Sequence, residues 1–140
     1  MRQILLFAAL ATSLALLSGC ALSKAKEDKA EDMPDKAAYH KLSAEEAYEM
    51  MASQEVVVVD VRTREEYDGG HIENAILVPN ESIGSGMPEA LPDKEATLLI
   101  YCRSGRRSKD AAQKLLALGY QSVYDFGGVI DWPYELVKEG

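Results

Sequence analysis

Cys102 is the residue in this chain best placed to do chemistry. It stands between an apolar run, Leu98, Leu99, Ile100 and Tyr101, and a cationic segment, Arg103, Ser104, Gly105, Arg106, Arg107 and Ser108. A strand, a compact glycine-containing turn and then a helix would set the sulfur above backbone N–H groups at a helix N-terminus. Those groups, the helix dipole and three nearby guanidinium groups favour the thiolate, which is the nucleophilic form of cysteine. The competing reading is a small buried hydrophobe that ends a strand, the commonest fate of a free cysteine. Inert core cysteines are not usually followed by a cationic turn, and the nucleophile is the reading adopted. Gly105 permits a backbone conformation that a Cβ would obstruct. Ser104 and Ser108 supply hydroxyl donors, Ser108 serving equally well as a helix cap. Arg103, Arg106 and Arg107 offer charge to an anion, or else form a solvated rim.

The elements that must hold this loop can be read from periodicity. The folded part opens at residues 39–42. Ser43 with Glu46 makes a capping box before a helix running to about Ala52. Val56, Val57, Val58 and Val59, continuing to Asp60, Val61 and Arg62, read as a strand buried on both faces. Thr63 and Glu66 form a second capping box, and Gly69 and Gly70 stop the short helix that follows. A strand over residues 75–78 is closed by Pro79, and residues 82–92 are broken by Gly84, Gly86, Pro88 and Pro92. The spacing then predicts a strand over 97–101, a helix over 108–118 with Gly119 as its stop, a short strand over 122–125 and a terminal helix over 129–137. Strands alternating with helices predict an α/β domain with a mainly parallel central sheet and helices on both faces.

The start of the chain places this chemistry. Arg2, an apolar stretch over residues 4–17 and then Leu17, Ser18, Gly19 and Cys20 form a secretory signal too short to span a bilayer comfortably. Residues 17–20 resemble a bacterial lipobox, which implies removal of residues 1–19 and lipidation of Cys20. Export follows from this expectation. The protein would face the periplasm at the outer membrane of a two-membrane cell, or the outer face of a single-membrane one. Residues 20–38 carry Lys, Glu, Asp and Ala without an apolar period and read as a flexible tether reaching about 20–25 Å. Residues 39–140 form the single domain. Cleavage would change the formal charge from −8 to −9, because the first 19 residues hold one basic side chain and no acid. Nucleic acid is therefore not an expected partner. With Cys20 lipidated, Cys102 would be the sole thiol, which excludes an internal disulfide and the second thiol that a dithiol oxidoreductase needs. Two histidines and one thiol give no zinc-ligand spacing, and no metal or cofactor is expected. A monomer is the default, since no coiled-coil period is present.

In order and spacing, the residues resemble the rhodanese domain in its single-domain form over residues 42–137. The signposts are Ser43 to Ala47, Asp60-Val61-Arg62, Glu66-Tyr67, Gly70 to Ala75, the loop Cys102 to Ser108 and the closing Gly127-Gly128-Val129-Ile130-Asp131-Trp132. The resemblance implies sulfur transfer. Cys102 would take sulfane sulfur from thiosulfate or a related small anionic donor as a persulfide and pass it to a thiophilic acceptor, cyanide or a thiol. It also implies that Asp60, Arg62 and Glu66 form a charged framework supporting the loop, and that His71 belongs to the scaffold. Arg106 ranks first and Arg107 second for docking the donor. Trp132, Tyr101 and Tyr124 read as core or pocket wall.

Two rivals remain open at this stage. A cysteine phosphatase or arsenate reductase also opens its loop with a cysteine after a strand, but places arginine six positions later, where this chain has Ser108. A rhodanese scaffold used only for binding would typically lack the cysteine.

Overall fold

The computed structural model describes residues 37–138. The signal segment, the lipobox cysteine Cys20 and nearly all of the tether lie outside them. Ten elements follow in order: β1 (Tyr39–Lys41), α1 (Ala44–Ser53), β2 (Val57–Asp60), α2 (Arg64–Asp68), β3 (Ile76–Leu77), a 3-10 turn (Asn80–Ser82), β4 (Thr97–Cys102), α3 (Arg106–Ala117), β5 (Ser122–Gly128) and a second 3-10 turn (Val129–Asp131). The strands form one sheet in the order β1-β5-β4-β2-β3, every neighbouring pair parallel.

Strand residues alternate between two cores, as a pleated sheet covered on both sides requires. Val59, Val61, Leu98, Ile100, Cys102 and Val123 point to the face covered by Ala111, Ala112 and Leu115 of α3. Val58, Leu99, Tyr101 and Phe126 point to the opposite face, against Ala47 of α1 and Tyr67 of α2. Both predicted capping boxes form, Ser43 with Glu46 and Thr63 with Glu66. Because α2 and α3 leave the neighbouring strands β2 and β4 toward opposite faces, the carboxyl ends of those strands are the topological switch point, where open α/β sheets bind ligands in a crevice. Cys102 ends β4 there.

Three boundaries differ from the sequence expectation. The terminal helix over 129–137 is absent. Val129–Asp131 makes a single 3-10 turn, Trp132 is extended at φ −75° and ψ 114°, and Val137 forms an antiparallel bridge with His71. Pro133 explains this, since it disfavours a helical conformation at the residue before it and donates no N–H. Helix α3 begins at Arg106, two residues earlier than predicted, with Gly105 as its N-cap at φ 99°. Ser108 is thus inside the first turn and not a cap. Strand β5 runs past Asp125 to Gly128, because the glycines continue to pair with β4.

Candidate active site

Cys102 sits at the base of the loop, 1% exposed. The Gly105 N–H donates to its Sγ at 3.0 Å, and the thiol lies 3.7 Å from Ser108 Oγ. Burial alone would push the Cys102 pKa up. The N–H groups of Ser108, Gly105 and Ser104, with the Ser108 hydroxyl, outweigh it and lower the pKa below the ordinary thiol value. The Ser108 hydroxyl also reaches the Gly105 carbonyl at 3.1 Å and the Gly127 carbonyl at 3.3 Å. Its single proton therefore has several acceptors, of which an ionised sulfur attracts it most strongly.

The loop backbone is fixed from behind by the end of β5. Ile130 N–H donates to the Arg103 carbonyl at 3.2 Å. A Cβ on Gly128 would collide with the backbone of Arg103 and Ser104, so only glycine allows the strand to approach this closely. The sequence shows the Gly127-Gly128 pair but not this contact, which depends on a neighbour 25 residues away in the chain.

The three loop arginines have different surroundings. Arg107 forms a bidentate pair with Glu66, Nη1 to Oε2 at 2.7 Å and Nη2 to Oε1 at 2.8 Å. Oε2 also accepts from the Thr63 N–H at 3.1 Å, so one carboxylate caps α2 and ties it to α3 across the crevice. The Arg107 hydrogen bonds hold the Glu66 carboxyl down to about 2. The Arg103 and Arg106 side chains are exposed, and their guanidinium groups make no hydrogen bond or ion pair among the described residues.

Asp60 and Arg62 form a separate, buried group. Arg62 Nη2 meets Asp60 Oδ2 at 2.7 Å and donates to the Gly70 carbonyl at 2.8 Å. The Tyr101 hydroxyl donates to Asp60 Oδ2 at 2.7 Å and accepts from Ile72 N–H at 3.1 Å. Burial and the Asp60 charge push the Tyr101 pKa well above its usual value, so it remains a hydrogen-bond donor. This network anchors the residue that immediately precedes Cys102. His71 stacks on Tyr67 at 3.7 Å between ring centroids, and its Nδ1 meets the Tyr67 carbonyl at 2.9 Å. Trp132 packs between Phe126 and Tyr134, and Tyr124 stacks on His40.

Similar proteins agree with this architecture. Residues 43–133 match the sequence model of the family described as Rhodanese-like domain. The solved structure of a rhodanese with anions from E. coli is 35% identical, with a TM-score of 0.54 over 59% of this chain and 98% of that one. A human single-domain sulfurtransferase is 30% identical, with a TM-score of 0.56 over 66% of this chain and 93% of that one. A tRNA uridine(34) hydroxylase of Yersinia pestis is 33% identical over 106 residues, which are 72% of this chain. This chain spans 30% of that relative's length. A cysteine held at the carboxyl edge of a five-stranded parallel sheet, the matched span and these likenesses have one common explanation: the chain belongs to the rhodanese-like family.

Proposed function

We propose that the protein is a sulfurtransferase that carries sulfane sulfur on Cys102. The observation that supports it most is the buried Sγ receiving the Gly105 N–H at 3.0 Å, with the Ser104 and Ser108 amides also favouring its ionised form. In the first half-reaction the Cys102 thiolate attacks the outer sulfur of thiosulfate. A new S–S bond forms, the bond between the two thiosulfate sulfurs breaks, and sulfite leaves with the electron pair. The persulfide is an anion at its terminal sulfur, and the loop N–H groups are already oriented toward negative charge, so stabilising it needs little reorganisation. In the second half-reaction cyanide or a thiolate attacks that terminal sulfur, and the electron pair of the breaking S–S bond returns to Cys102. No metal or cofactor enters either step.

Arg106 is the guanidinium proposed to dock the anionic donor, since its side chain is exposed beside the loop and forms no direct ion pair among the described residues, Asp110 one turn on acting on it only through charge, with Arg103 as its neighbour. Arg107 is engaged by Glu66. At the sixth position after the cysteine, Ser108 offers a hydroxyl where a phosphatase loop would offer arginine. A net charge of −8 lends no support to RNA as a substrate. The protein is further proposed to act as a monomer, exported and held at a membrane by lipid on Cys20.

Cyanide-dependent thiocyanate formation from thiosulfate tests the activity. Wild-type protein is expected to turn over and Cys102→Ser to lose activity to background while keeping its cooperative melt. Turnover in folded Cys102→Ser would remove the mechanism.

A further inference from the structure

Strand β5 is interrupted at the site. In its ladder with β4, Ile100 stands opposite Asp125 but Tyr101 stands opposite Gly127, so Phe126 is the extra residue of a bulge. An unbulged ladder would bring Gly127 beside Cys102 and turn every later side chain of the strand to the other face. The bulge brings Gly128 beside Cys102, where its missing Cβ leaves room for the backbone of Arg103 and Ser104.

Asp125 spans this bulge. Its side chain is 1% exposed, and its Oδ1 accepts the Gly127 N–H at 2.8 Å. Its Oδ2 accepts the Tyr39 hydroxyl at 2.6 Å and lies 3.4 Å from Lys41 Nζ. Both partners belong to β1, which precedes the family-matched residues 43–133. Packing does not call for a carboxylate here, because Asp125 is buried while its Lys41 partner is half exposed, and taking a charge out of water costs free energy that an apolar residue of similar volume would not. What the carboxylate adds is a directed acceptor for one N–H. Gly127 then passes this placement on to the loop. Its carbonyl accepts from Ser108 Oγ at 3.3 Å, and its Cα lies 3.5 Å from where a Cβ on Gly105 would stand.

We propose that Asp125 is a positioning residue for the Cys102 nucleophile: by holding the Gly127 N–H it sets the bulge that aligns Gly127 with Ser108 and Gly105, two of the residues that face the sulfur. The inference rests on Cys102 acting as a thiolate nucleophile and extends that reading to a residue 23 positions later. Asp125 acts through the bulge and touches no reacting atom.

Alkylation of Cys102 in the full chain by iodoacetamide, followed by site-resolved mass spectrometry from about pH 5 to about pH 10, reads the thiolate directly. Asp125→Asn keeps an oxygen acceptor for the Gly127 N–H and is expected to react within about threefold of the wild-type rate near neutral pH. Asp125→Ala is expected to react about tenfold more slowly, its profile displaced upward by about one pH unit. Arg107 and Glu66, the charged pair beside the sulfur on α3 and α2, are the same in every variant. A cooperative melt establishes that each variant is folded. If Asp125→Ala does not fold, the double variant Tyr39→Phe/Lys41→Met decides, since it releases Oδ2 while leaving Asp125 in place; slowing of about threefold supports the proposal. A wild-type profile in folded Asp125→Ala, or in the double variant when that decides, overturns it. So does Asp125→Asn reacting as slowly as Asp125→Ala. No sulfur donor enters the assay, so normal turnover is not presupposed. Wild-type Cys102 reacting as an ordinary exposed thiol would instead sink the nucleophile reading, and this inference with it.

Discussion

Cys102 combines two features that oppose each other, burial and a depressed pKa. An apolar site penalises the thiolate, so backbone donors must more than offset the lost water. Gly105 makes this possible by adopting φ 99°, which both points its N–H at the sulfur and starts α3. Arg106 contributes at longer range. Arg106→Ala is expected to raise KM for thiosulfate by about five- to tenfold with kcat nearly unchanged, and more strongly at low ionic strength. An unchanged KM at every salt concentration would assign Arg106 to the solvated rim. Cys102, the glycine and the cationic run stand together in the sequence, which is why the loop was legible there. Gly128 and Asp125 were not legible as parts of the site. Their relation to the loop arises from a bulge in a ladder between segments more than 20 residues apart, and no local pattern encodes that pairing.

The elements meet at the crevice through the pair of Glu66 and Arg107. Glu66 caps α2 through Thr63 and simultaneously binds a residue in the first turn of α3. Its carboxyl falls from 4.5 to about 2, chiefly through the Arg107 hydrogen bonds. A carboxyl whose folded value is depressed contributes stability that is complete above its unfolded value and lost as pH falls toward the folded one. Glu66→Gln preserves the acceptor for the Thr63 N–H while removing the charge. Wild type is therefore expected to exceed Glu66→Gln by about 1 kcal/mol at neutral pH, with the gap closing between about pH 4.5 and about pH 2. Melting curves of the two proteins across that range are the check, and a gap independent of pH would mean the ion pair contributes nothing. Both capping boxes and the valine strand were legible because caps and β-branched runs are local signals. The terminal helix over 129–137 was misread for the opposite reason. Apolar residues at helical spacing suggested it, while Pro133 and the bridge between His71 and Val137 favour an extended path.

The whole chain is acidic, with a formal charge of −8, yet among the described residues the exposed guanidinium groups of Arg103 and Arg106 flank the buried thiol of Cys102 without forming an ion pair. In the proposed reaction an anionic donor would meet positive charge beside the thiol, against the acidic balance of the chain as a whole. The proposed lipid on Cys20 would attach this acidic domain to a membrane independently of surface charge, because acyl burial contributes about 0.8 kcal/mol per methylene. Cys20→Ser is accordingly expected to move the protein from the membrane fraction to the soluble fraction; equal partitioning of the two would exclude the anchor. All of the proposed chemistry is carried by one atom, the Cys102 sulfur. The most direct measurement is intact mass under nonreducing conditions after incubation of the full chain with thiosulfate and desalting, followed by addition of cyanide. The account predicts a gain of about 32 Da, one sulfur atom, mapping to Cys102 and lost with release of thiocyanate. A folded protein that gains no sulfur, or gains it at a residue other than Cys102, would contradict it.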